Sequence, residues 1–300
     1  MQKKSTKLSF SLIFISLLFF ANVSATIAQQ GEIVFSAEHE GGMHKVDPTT
    51  GQTTEIDVGV RNARNIDFNQ KINKLVFEAS DGHFSSHSLY LLDLQSYKTQ
   101  LIIDPNTTEK LYRPKFHPNG QYLYALNYSE GIYRYTLSSS KWTKMEVSGT
   151  NSLNPQGISL SKSGETALIS PGHFKGFLLA AVKDKGFRVL KPILTEFDSC
   201  TSPRWAGDKV IYFAGRKKAG LQFIWSYNLE TERLVQLTRP PIGARDFLAL
   251  SPSEKEIVFT GTGEHLEWRL WHVNIDGTDI KPLTKGGNLS GHLYPVWIKE

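Results

Sequence analysis

A short apolar run returns at nearly constant spacing along this 300-residue chain, and it constrains the fold more than any other feature. The runs EIVFSA, KLVFEA, QYLYAL, TALISP, VIYFAG and EIVFTG reach their core residue at Phe35, Phe77, Tyr124, Ile169, Phe213 and Phe259, so successive intervals are 42, 47, 45, 44 and 46 residues. Most are rich in β-branched and aromatic residues and are bounded by turn residues, as strands are. A second apolar position, at Phe68, Phe116, Leu160, Trp205 and Leu250, precedes each of the five later runs by eight or nine residues. Turn sequences such as His117-Pro118-Asn119-Gly120 and Ser251-Pro252-Ser253-Glu254 separate the two. Asn-Gly there supplies the positive φ of a tight hairpin. A third run follows most cores: SLYLLDL from Ser88, GIYRYTL from Gly131, FIWSYNL from Phe223 and WRLWHVNI from Trp268. A fourth is short and ends in Leu237-Thr238 and Leu283-Thr284 in the last two units. Four strands in each unit of about 45 residues, without helical periodicity, predict an all-β propeller.

The two ends of the repeat predict how the ring closes. The first unit begins at its second strand, Glu32, and no first strand precedes it. The last segment, LYPVWIKE, places Pro295 and Trp297 where Pro203 and Trp205 stand in the fifth unit, and no second strand follows. The fragments complete each other as three strands plus one. The expectation is six four-stranded antiparallel blades, with the C-terminal strand pairing the N-terminal ones and hiding edges that would otherwise be exposed.

Lys3, Lys4 and Lys7 precede an apolar stretch from Leu8 to Phe20, and small residues follow at Ala25 and Ala28. That order is a secretory signal, so residues 1–28 are expected to be removed and 29–300 to form a single propeller domain, periplasmic or secreted. The apolar stretch is shorter than the roughly 20 residues of a spanning helix, so no membrane span is expected after cleavage. The whole chain carries +5, of which residues 1–28 supply three lysines and no acid, leaving +2. A near-neutral mature chain without a clustered basic face speaks against nucleic acid. Cys200 is the only cysteine, so no internal disulfide or cysteine-type metal site can form, and stability must come from an apolar core. A monomer is expected.

The sequence Pro114-Lys115-Phe116-His117-Pro118-Asn119-Gly120 resembles the TolB-like propeller repeat. Pro203-Arg204-Trp205, Ser251-Pro252 and Pro295-Val296-Trp297 match it in part. The resemblance runs over residues 31–300, most weakly in the second and fourth units. It implies a six-bladed propeller of the cell envelope that docks partners. The family's namesake carries an α/β domain before its propeller, and here only a few residues separate the signal from the first strand. Similar propellers occur in oligogalacturonate lyases and beside peptidase domains, so the fold leaves function open.

Blade topology makes two site-level readings. The loop into a first strand and the loop between second and third strands share one face. His39, His83, His173 and His265 fall in the latter loops, His87 at the edge of one, and His292 enters the final first strand. His39, His83 and His265 belong to consecutive units and are candidate ligands for a divalent metal, with Glu38, Glu40, Asp81 and Glu264 nearby. The plainer reading, and the one the loop position favours, is that these histidines are solvated, scattered hairpin-tip residues. The second candidate is the channel mouth, where Arg64, Asn65, Tyr112, Arg113, Gln156, Thr201, Arg245, Asp246, His292 and Tyr294 precede the first-strand cores. Guanidinium groups there suit a carboxylate or phosphate. The same residues can instead close the channel by bonding one another. The expected function is a non-catalytic binding module for an envelope protein or a small anionic ligand, without a cofactor. The alternative is a metal-assisted lyase or hydrolase using the loop histidines.

Overall fold

The computed structural model describes residues 31–37, 42–79, 88–103, 110–150, 153–172, 175–263, 268–285 and 291–299. The signal segment, the loop histidines His39, His83, His87, His173 and His265, and the acids Glu38, Glu40, Asp81 and Glu264 lie outside these residues. No helix among the described residues is long and apolar enough to cross a membrane.

Six sheets form, and each begins with an inner strand: His292–Lys299, Arg64–Asn69, Tyr112–Phe116, Gly157–Leu160, Ser199–Ala206 and Gly243–Leu250 for blades one to six. Each inner strand packs against the inner strands of the neighbouring blades, so the six close into a ring around an axis. Five sheets are four-stranded and antiparallel, and in four of them the strands lie in sequence order. Blade one is built as expected from three N-terminal strands and one C-terminal strand. In it Glu32–Ala37 pairs with the last strand, placing Ile33 opposite Trp297 and Val34 opposite Val296. The pairing is reinforced from blade six, where the Thr260 hydroxyl donates to the His292 carbonyl at 2.8 Å.

Blade four departs from the expected count. The short strand Glu146–Ser148 leaves blade three and pairs in parallel with the outermost strand of blade four, Gly186–Ile193, making a fifth strand. The short fourth strands of blades five and six use the Leu-Thr ending. The Thr238 hydroxyl accepts from the Ile224 N–H at 2.9 Å, and the Thr284 hydroxyl from the Leu270 N–H at 3.0 Å. A side chain thus takes over a ladder bond where the strand stops.

The second strands read as continuous apolar runs because they are buried on both faces. Val34 packs with Phe77 and Ile66 towards blade two, whereas its neighbours Ile33 and Phe35 pack with Val258 and Leu270 of blade six. The core is therefore a set of apolar layers between blades. Phe35, Phe77, Phe213 and Phe259 are all essentially inaccessible. Each such side chain stabilises the fold by about 1.5–3 kcal/mol through burial. Cys200 is buried in the layer between blades four and five, and burial pushes its thiol pKa far up, so it packs as a small apolar residue.

Candidate functional site

The inner strands share a backbone feature that the sequence does not announce. Three residues before the aromatic or leucine position of each first strand stand Asn65, Arg113, Gly157, Ser202, Phe247 and Tyr294. All except Gly157 have positive φ, 49° for Asn65, 50° for Arg113, 49° for Ser202, 57° for Tyr294 and 97° for Phe247. The ladder slips register at this level in the same five blades. A bulge of this kind re-aims side chains. For a non-glycine residue the left-handed conformation costs about 1–2 kcal/mol. Together these six residues line a narrow axial cavity of about 60 Å³. That is room for a few waters.

The mouth is laced from blade to blade. Glu78, almost fully buried, accepts from Arg64 Nε at 2.9 Å, from Asn65 Nδ2 at 2.8 Å and from the Arg113 backbone N–H in blade three. The Arg113 guanidinium in turn donates to the Gln156 carbonyl of blade four. The Ser202 hydroxyl of blade five accepts from the Phe247 N–H of blade six at 2.8 Å. The Phe247 and Tyr294 rings meet at 4.0 Å between centroids. Tyr112 stacks on Tyr128 at 4.8 Å, and burial raises the Tyr128 pKa.

Of the expected mouth residues, Asn65, Arg113, Thr201 and Tyr294 line the axial cavity, and Arg64 and Gln156 support them from behind. Arg245 is exposed and lies over the Trp268 ring at 4.9 Å, away from the axis. Asp246 is half-buried and does not line the cavity. His292 is buried; its Nδ1 shares a 2.8 Å hydrogen bond with the Thr284 hydroxyl, and its ring tilts on Phe35. It belongs to the closure of the ring. Sequence reading missed Glu78, Ser202 and Phe247. Glu78 did leave a signal: a carboxylate occupies the slot that holds Ser36, Ala125, Ser170, Ala214 or Thr260 in the other blades.

A wider cavity of about 470 Å³ opens at the opposite end of the axis. Its wall includes Phe68, Phe116, Leu160, Trp205, Leu250 and Trp297, the repeated first-strand position taken once from every blade. Lys115 and Arg204 line both cavities and so stand between them. Asp67 accepts from Lys115 Nζ and from the Phe116 N–H, each at 2.8 Å. Burial pushes the Lys115 pKa down to about 8, against the opposing pull of Asp67. Burial also lowers that of Arg204.

The hairpins around this end dock on one another. The Asn69 amide donates to the His117 carbonyl at 2.9 Å, His117 Nε2 donates to the Gly164 carbonyl at 3.3 Å, and the Lys162 N–H donates to the Gly207 carbonyl at 3.1 Å. His117 Nδ1 accepts from the Asn119 N–H, so the ring is neutral, and burial lowers its pKa. Lys162 of blade four also reaches Glu254 of blade six at 2.8 Å.

These features define a six-bladed propeller with a laced mouth at one end of its axis and an open cup at the other. No protein-family model and no curated protein sequence matches the chain. Among solved structures it is similar to TolB from Acinetobacter baumannii, with a TM-score of 0.71 and 16% identity over 90% of this chain and 67% of that one. It is also similar to hydrazine synthase from Kuenenia stuttgartiensis, with a TM-score of 0.56 and 12% identity over 80% of this chain and 72% of that one. The TolB-like propeller architecture read from the repeat is therefore borne out as a fold. Two proteins with such different names on one fold carry no function over by themselves.

Proposed function

We propose that this chain is an exported, non-catalytic binding module whose channel mouth docks a protein of the cell envelope. The observation that carries this reading is the repeated left-handed bulge, which turns Asn65, Arg113, Ser202, Phe247 and Tyr294 towards the mouth at a conformational cost in five of six blades. Strained backbone held in place by surrounding bonds is typical of binding surfaces. A mouth cavity of about 60 Å³ favours docking across the surface over enclosure of a small molecule. Export rests on the basic and apolar N-terminal segment, and an envelope partner on the fold likeness to TolB.

The test is in-cell photocrosslinking from Tyr294 and Phe247, with Lys98 on an outer strand as control. The expected result is a discrete adduct with an envelope protein from the two mouth positions and none from Lys98. Phe247→Ala should abolish the Tyr294 adduct while the melting temperature falls only modestly. Equal adducts from Lys98, or none from the mouth, would sink the reading. Stoichiometric metal in the purified chain, lost on replacing His39, His83 and His265, would favour the lyase or hydrolase instead.

A further inference from the structure

We infer that the cup at the far end of the axis is a second binding site, for a small organic oxyanion with an apolar body, a carboxylate or a phosphate monoester, held by Lys115 and Arg204. It is separate from the docking mouth and does not depend on it.

The charge arrangement points to an anion. Lys71, Lys115, Lys162 and Arg204 line the cup against Asp67 and Glu254, so cations exceed carboxylates by two. Glu254 is taken by Lys162 on the rim. Deeper in, one carboxylate serves two cations. Both Asp67 oxygens are already occupied, one by Lys115 Nζ and the other by the Phe116 N–H. Among the described residues the Arg204 guanidinium makes one hydrogen bond, from Nη1 to its neighbour's carbonyl, Pro203, at 3.0 Å. A guanidinium has five donors in a planar fork. Arg204 is half-buried and desolvated, and keeping a poorly paired charge there is costly unless something completes it. A bidentate oxyanion does so. Lys115, with one of its three donors on Asp67, can share the same ligand.

The walls set the rest of the ligand. Trp205, Trp297, Phe68 and Phe116 surround the cations with aromatic surface, and 470 Å³ is the size of a small-molecule site. Inorganic ions alone would leave those walls unused. The docked hairpins keep the cup preformed.

Phenyl phosphate, phenylacetate and benzyl alcohol distinguish the chemistries, read by calorimetry and by quenching of tryptophan fluorescence on the purified chain. At least one of the two anions should bind saturably in the sub-millimolar range, and benzyl alcohol should not. Binding by phenyl phosphate alone assigns a phosphate, by phenylacetate alone a carboxylate, and by both an oxyanion site without preference. Arg204→Met should weaken binding about tenfold or more while the chain stays folded, because replacing a poorly paired buried charge by an apolar group of similar length is tolerated. A second measurement holds if that variant does not fold: about 0.5 M NaCl should weaken the wild-type interaction severalfold. No saturable binding by either anion, binding indifferent to that salt, or unchanged binding by folded Arg204→Met would overturn the inference.

Discussion

At the scale of single residues, the mouth turns on Glu78. One buried carboxylate gathers two side chains of its own blade and a backbone N–H of the next. The run KLVFEA displays the anomaly openly, since a charge follows the core phenylalanine. Its partners Arg64, Asn65 and Arg113 are visible in the sequence as polar residues ahead of first strands. The sequence does not connect them to a carboxylate on another strand, because strand pairing brings them together. Glu78→Ala leaves three buried or half-buried donors unanswered. We expect a loss of about 3 kcal/mol in urea unfolding, with Glu78→Gln retaining part of it. A loss below about 1 kcal/mol would contradict the hub role.

At the scale of elements, the repeat was legible and its exceptions were not. The apolar second strands and their hairpins are recognisable because a strand buried on both faces must be apolar throughout. The strand Glu146–Ser148 has no such pattern, and its outer residues are exposed. It exists because the chain leaving blade three passes the open edge of blade four. Gly186 permits the approach: a Cβ there would stand 1.8 Å from the Glu146 carbonyl oxygen. Gly186→Ala should therefore expel the added strand. We expect faster amide exchange at residues 146–148 and a stability loss of about 1–3 kcal/mol, with the other blades unchanged. Unaltered exchange there would refute the account. The left-handed bulges were equally hidden, since Arg113, Phe247 and Tyr294 are not residue types that mark positive φ.

At the scale of the whole molecule, the ring is held by its last strand. Leu293, Val296, Trp297 and Ile298 are all buried, and Val296 and Trp297 belong to different inter-blade layers. Removing residues 292–300 forfeits about 6–12 kcal/mol of burial, comparable to the entire stability of a typical domain. It also exposes the edges of blade one and opens the ring between blades six and two. The truncated chain should lose its cooperative melting transition in calorimetry. An unchanged melting temperature would show that closure does not hold the ring.

The repeat alone determined the blade count, the strand order and the three-plus-one closure. Each of these follows from where apolar runs and turns fall along the chain, and burial of both faces leaves that pattern little freedom. The missing first strand before Glu32 and the surplus one at the C-terminus were readable for the same reason. Tertiary structure alone decided what lies along the axis. There the six inner strands contribute one residue each per level, and Glu78 reaches them from a second strand, so Glu78, Phe247 and the Lys115–Asp67–Arg204 group acquire their meaning from partners on other strands, Glu78 from Arg64 14 residues away and Arg113 35 residues away. Local pattern encodes which residues are buried, and ring closure sets which charges meet.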